Sequence, residues 1–127
     1  MPRFLRFAVV FLLAVSCNRS EQPTPDTFSS PIGLFVDEVS AHTGGVVSVA
    51  SPVRLRLAWN AGDSLAGTPV TQKVFSFSPD IDGSTSWEDN RTLVFQPVQV
   101  LKSNQKYEVT ANLGAILQDL PKEKENF

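Results

Sequence analysis

One cysteine, Cys17, and one histidine, His42, set narrow bounds on the chemistry open to this chain. A lone thiol makes no intramolecular disulfide and no cysteine zinc cluster. His42 stands near Asp37 and Glu38, but a metal centre needs three or four converging ligands. It is therefore expected as an exposed loop histidine, and no metal or cofactor is assigned. Serines and aspartates are plentiful enough to draw a Ser-His-Asp set around His42, yet the G-x-S-x-G pattern that holds a nucleophile on a sharp turn is missing. Asp80, Asp82, Glu88 and Asp89 lack the spacing of a calcium-binding loop and are expected as turn formers. No catalytic residue is named on this basis.

Other polar and aromatic positions offer binding rather than catalysis. Arg54 and Arg56 can meet an anionic glycan or lipid, but two arginines at alternate positions also describe the wet face of a strand, where charge discourages aggregation. Trp59 shares the parity of Leu55 and Leu57 and is expected in the core. Trp87, next to a polar turn, is open between a core position and a sugar-stacking platform. Asp63-Ser64-Leu65 resembles a short O-glycosylation acceptor. Asn90-Arg91-Thr92 fits the N-glycosylation rule by letter and is expected as a plain turn.

Cys17 gains meaning from what precedes it. Arg3 and Arg6 form a basic head, Phe7 to Val15 is an unbroken apolar run, and Ala14-Val15-Ser16 puts small or modest side chains before the thiol. That order is the layout of a secretory signal peptide, and the run is shorter than the roughly 20 apolar residues a spanning helix needs. A cleavage site ending on cysteine resembles a bacterial lipoprotein signal, which implies that Cys17 is acylated and becomes the first residue of an exported protein. Asn18 follows, without the aspartate that marks inner-membrane retention in some Gram-negative bacteria, so the expected location is the cell envelope, anchored by lipid to the outer membrane.

The expected organisation is a signal peptide over 1–16, a flexible tether over 17–30, a folded domain over 31–117 and a polar tail over 118–127. Asn18 to Asp26 is polar and carries two prolines, too little apolar surface to offset its ordering entropy. Pro121 to Phe127 is charged and led by proline, and is expected as a solvated tail. A net charge of −2 in 127 residues gives no basic field for nucleic acid. No small-molecule substrate is evident. The expected partners are the membrane, through the lipid anchor, and further domains or envelope proteins.

Between Pro31 and Leu117 the governing signal is alternation. Val53, Leu55, Leu57 and Trp59 fall on one side of a strand with Arg54, Arg56 and Ala58 on the other. Tyr107, Val109, Ala111 and Leu113 alternate with Lys106, Glu108, Thr110 and Asn112 in the same way. Phe75 and Phe77 share a face, as do Leu93 and Phe95. Val46, Val47 and Val49 suggest a short β-branched segment, and Ile32 to Val39 an opening strand. Glu88 to Arg91 separates two strand candidates, Asp82–Trp87 and Thr92–Gln96, as a hairpin. Ala115-Ile116-Leu117 fits either an extension of the last strand or one helical turn. About seven short strands at spacings of roughly 8 to 15 residues predict an all-β, immunoglobulin-like antiparallel β-sandwich.

Three segments carry a family resemblance: Val74-Phe75-Ser76-Phe77-Ser78-Pro79, Trp87 with Asn90-Arg91-Thr92-Leu93-Val94-Phe95-Gln96-Pro97, and Leu101 with Tyr107-Glu108-Val109. The pattern resembles bacterial immunoglobulin-like domains of the surface-layer type. With the lipoprotein signal in front, it is similar to the amino-terminal module of bacterial alpha-2-macroglobulin-like proteins, which trap proteases. The resemblance implies a non-enzymatic, membrane-proximal first domain or a fragment of one, with an independent adhesion or carbohydrate-binding lipoprotein as the alternative. The thioester of that family, built on Cys-x-Glu-Gln, does not carry over, because Glu21 and Gln22 lie too far from Cys17 and that thiol is the lipid site. Independently of the family, Pro97 should stop a strand by removing a ladder donor. Tyr107 should bury its ring and hydrogen-bond its hydroxyl to nearby backbone, as a tyrosine corner does.

Overall fold

A computed structural model describes residues 28–29 and 33–127 of the chain. These residues form an all-β fold of two antiparallel sheets. In chain order the strands are β1 (Phe28–Ser29), β2 (Val39–Thr43), β3 (Val53–Leu57), β4 (Pro69–Val70), β5 (Phe75–Ser78), β6 (Gly83–Trp87), β7 (Thr92–Pro97) and β8 (Glu108–Ala111). The larger sheet runs β1-β2-β3-β7-β6-β4 and the smaller pairs β5 with β8.

Alternation explains why these segments are strands. Leu55 and Leu57 on β3, Phe75 and Phe77 on β5, and Leu93 and Phe95 on β7 are all buried and face each other between the sheets. The ring of Phe95 lies 6.1 Å from that of Phe75 and 4.5 Å from that of Phe77, so three phenylalanines join the two layers. The hairpin forms as expected, with Gly83 opposite Pro97 and Trp87 opposite Leu93, and Pro97 is the last residue of its strand. At the β2–β3 pairing the register slips between Val39 and Ala41. Ser40 stands in this bulge and donates its hydroxyl toward the carbonyls of Arg56 and Leu57 at 3.2 and 3.0 Å.

Several expectations fail, each for a local reason. The opening strand over Ile32–Val39 is replaced by turns over 34–38. Gly33 takes φ +77°, and Glu38 and Val39 bond back to the Phe35 carbonyl. Val46, Val47 and Val49 form no strand: Val46 is 95% exposed, and its segment is held by a bond from the Leu101 N–H to the Val49 carbonyl. Trp59 is not core but 45% exposed. β3 ends at Leu57 and the Ala58 N–H bonds to the Glu38 carbonyl, so the alternation stops two residues before the indole. Arg54, expected on the wet face, is largely buried and clamps Glu88 with two bonds of 2.9 and 3.3 Å. The stretch after β8, open between strand and helical turn, becomes a short 3-10 turn over Leu113–Ala115, whose amino-terminal end is capped by the Asn112 side chain accepting from the Ala115 N–H.

The largest departure is the carboxy-terminal segment. Rather than trailing into solvent, 118–127 folds back on the domain. Lys122–Lys124 makes a 3-10 turn, and Lys124 reaches Glu38 at 2.8 Å in a pair that is mostly buried. That hydrogen bond holds the Lys124 ammonium above its ordinary pKa, against the opposing effect of burial. Phe127 then exchanges both backbone bonds with Ala111, at 2.7 and 2.8 Å, and its ring meets Phe35 and His42 edge-on at 5.1 Å each.

Candidate functional site

Cys17, the expected lipidation residue, lies outside the described residues, as does the signal sequence around it. The other positions singled out from the sequence do not converge. His42 is not a loop residue: it sits on β2, half-buried, with its Nδ1 3.2 Å from the Thr43 carbonyl and its ring against Phe127. Glu38 is taken by Lys124, and Glu88 by Arg54. Asp80 and Asp82 stand exposed in the connection from β5 to β6. Among the described residues no three His, Cys, Asp or Glu side chains come together as metal ligands would. Among them, too, no helix is long and apolar enough to cross a membrane.

Asp89 has a clear structural task in the β6–β7 turn. Its carboxylate accepts from the N–H groups of Arg91 and Thr92 at 2.7 Å each and from the Thr92 hydroxyl at 3.0 Å. Burial pushes this carboxyl up, but the bonds from Arg91 and Thr92, helped by the charge of Arg56, outweigh it and hold the pKa below the ordinary value. A depressed carboxylate contributes stability that is present above its unfolded pKa, about 3.9, and is lost as pH falls through the folded value. Asp89→Ala should cost about 1 kcal/mol at neutral pH, solvent around the carboxylate keeping the figure modest. Urea unfolding of both proteins at pH 7 and pH 3 checks this: the gap between the midpoints should narrow at the lower pH. The next residue, Asn90, accepts from the Leu65 N–H at 2.9 Å and so pins the exposed 63–68 loop to the turn. Its side chain is thereby used in folding. Within that loop Ser64 is exposed and takes φ +59°.

Of the two indoles, Trp59 departs from expectation and Trp87 takes the first of the two places open to it. Trp87 is 8% exposed, in the core with Leu93 and Leu57, so the aromatic platform considered there does not exist. Trp59 is the exposed one, two residues beyond the end of β3.

One concavity has the character of a binding site. A groove of about 350 Å³ opens between the two sheets where β8 and the Phe127 ring leave the core uncovered. His42 and Val53 line it from the larger sheet, Phe75, Tyr107 and Val109 from the smaller, with Phe127 at its rim. Tyr107 is fixed as the sequence suggested: its hydroxyl accepts from the Lys102 N–H at 3.2 Å, although its ring is half-buried only. Val109 keeps the inward parity of Ala111 yet is 40% exposed, against expectation, as no strand among the described residues stands over it. The wall is mostly apolar, and its charged member, Arg54, is engaged with Glu88. Such a groove can take apolar side chains, with the His42 imidazole and the Thr43 and Tyr107 hydroxyls as its polar members. The sequence alone hides it, because Phe127 reads as part of a solvated tail and Val109 as core. Against known protein families, curated proteins and solved structures the chain finds no match.

Proposed function

We propose that the chain is a lipid-anchored, immunoglobulin-like module of a bacterial cell envelope that works by position and contact rather than by catalysis. The observation that carries this reading is strand order. Constant-type immunoglobulin domains place strands ABED in one sheet and CFG in the other. Here β2, β3, β7 and β6 occupy the ABED places and β5 and β8 those of C and F, while Asn126 and Phe127 begin a ladder at the place of G. β1 and β4 are short additions at the two ends of the larger sheet. The signal layout before Cys17 supports the anchor, and several acyl chains, at about 0.8 kcal/mol per buried CH₂, hold a protein firmly where one chain is marginal.

In this reading the wider setting is the membrane-proximal first module of a macroglobulin-like protease trap, with the task of joining an anchor to other domains. The module itself neither inhibits proteases nor hydrolyses esters, peptides or glycosides.

The test is fractionation of cells making the full chain and its Cys17→Ser variant, with a lipid precursor carrying a clickable tag. The wild type should take up the label and pellet with membranes. The variant should lose the label and either become soluble or keep its signal uncut. Identical fractionation and labelling of the two would overturn the anchor.

A further inference from the structure

A second groove runs along β5, on the far side of that strand from β8 and Phe127. Antiparallel partners alternate between pairs that exchange both backbone bonds and pairs that exchange none. The Asn112 N–H donates to the Val74 carbonyl at 2.7 Å, which sets the phase of the β5–β8 ladder. Ser76 with Thr110 and Ser78 with Glu108 are then the bonded pairs. Phe75 and Phe77 fall between them and must turn their N–H and carbonyl groups away from β8. Among the described residues no strand lies along that side, and no hydrogen bond from outside the ladder reaches either phenylalanine.

The facing sheet leaves room beside this edge. β4 pairs with β6 only at Thr85 and Ser86, so among the described strands the Gly83 end of β6 is uncovered on the same flank. The result is a cleft of about 510 Å³ with an apolar floor of Val70, Val74, Phe75, Phe77, Ile81 and Phe95. Directly opposite residues in an antiparallel pair project to one face. A residue paired with Phe75 or Phe77 would therefore point into the cleft, and one paired with Ser76 would point to solvent, as Ser76 does. The rim carries opposite charge at its two ends. Exposed Lys73 stands beyond the Phe75 end of the strand, exposed Asp80 and Asp82 beyond its Ser78 end, and all three line the cleft.

We propose that the outer edge of β5 is an acceptor for a separate extended peptide segment. The segment runs antiparallel to β5, the slightly more stable pairing and the one used by every strand pair of this fold. It carries apolar side chains opposite Phe77 and Phe75, a basic residue near Asp80 and Asp82, and an acidic one near Lys73. Backbone bonds then supply affinity and the cleft supplies specificity, the two elements of strand addition. A second copy fits less well. Pairing β5 with β5 would bond the same backbone groups, but the Phe75 and Phe77 of each copy stay in their own core and both clefts stay empty. The inference rests on the sheets and does not depend on Cys17 being acylated.

The test titrates the full chain with a short synthetic peptide that opens on lysine, alternates threonine with valine, and closes on glutamate. One control peptide has proline in place of each valine, and another exchanges the lysine and the glutamate. Binding is read by fluorescence anisotropy at low salt and by amide-proton exchange in NMR spectra. Without peptide the Phe77 amide should exchange about tenfold or more faster than that of Ser76, which is bonded in the ladder. The designed peptide should bind saturably and slow exchange at Phe77 by about tenfold or more, while the proline peptide should not bind. The charge-exchanged peptide should bind about fivefold more weakly, a difference that shrinks at high salt. Val70→Lys, which puts a charge in the cleft, should weaken binding by about tenfold, whereas Ser76→Lys, on the solvent face of β5, should leave it within about twofold. The exchange measurement uses the unaltered chain and stands even if a variant folds poorly. The proposal fails if the designed peptide does not bind, if either control binds as tightly, or if Val70→Lys binds like the wild type. It fails equally if the Phe77 amide is protected without peptide, whether in a monomer, whose edge is then already covered, or in a species of doubled mass, where a second copy is the occupant.

Discussion

Leu57→Ala should lower the free energy of unfolding by about 2–5 kcal/mol, whereas Arg56→Ala, one residue away, should change it by less than about 0.5 kcal/mol. Leu57 is fully buried between the sheets, and truncating it forfeits both the transfer of its methyl groups from water and the contacts around the cavity left behind. Arg56 points to solvent from the same strand. Guanidinium unfolding followed by tryptophan fluorescence suits the comparison because Trp87 lies in the same buried core as Leu57. Equal losses at the two positions would mean that β3 does not present one face to the core, and the two-layer arrangement would fall with it.

Gly83→Ala should destabilise by about 1–3 kcal/mol, a large effect for one methyl group, and Gly83→Val by more. A Cβ at this position would lie 2.3 Å from Cζ of Phe95 and 2.6 Å from the Gln96 carbonyl oxygen. Neither neighbour can retreat easily. Phe95 is packed against both Phe75 and Phe77, and the carbonyl belongs to the strand paired with β6. The glycine is thus needed for close approach of side chain and backbone, not for a left-handed conformation. Thermal unfolding of Gly83→Ala beside Gly67→Ala separates the two demands, because at Gly67 a Cβ meets nothing and only φ +78° is strained. If Gly83→Ala melts with the wild type, Phe95 is free to move, and its place as the joint between the sheets is lost.

What could be read in advance follows one physical distinction. Period-two alternation is legible where a strand has a core on one side and water on the other, so β3, β5 and the β6–β7 hairpin stand close to where their side chains suggest. Pro97 and Tyr107 were legible for chemical reasons, a missing donor and a hydroxyl that needs one. Trp59 misleads because alternation in the sequence runs on after the backbone has left the sheet. Val46, Val47 and Val49 show the converse: β-branched residues favour a strand but do not supply a partner for one. The carboxy-terminal segment was hidden by its charges, for a local composition of lysine and glutamate says nothing of a distant Glu38 or of an Ala111 with unspent backbone bonds. Val109 was assigned to the right face of its strand, yet burial also requires something opposite. The groove was illegible for that reason, being made by residues from four strands and the last residue described.

The pairing of β1 with β2 gives the molecule a compass. Phe28 stands opposite Thr43 and Ser29 opposite His42, so the polypeptide comes into the sheet at the Thr43 pole and runs toward the other. The connections 44–52, 79–82 and 98–107 gather at this pole of entry, and with them Val46, Val98 and Val100, all strongly exposed. Trp59 and the β6–β7 turn lie at the far pole. The pole at which Phe28 enters therefore carries the three exposed valines, and the exposed indole of Trp59 stands at the opposite pole.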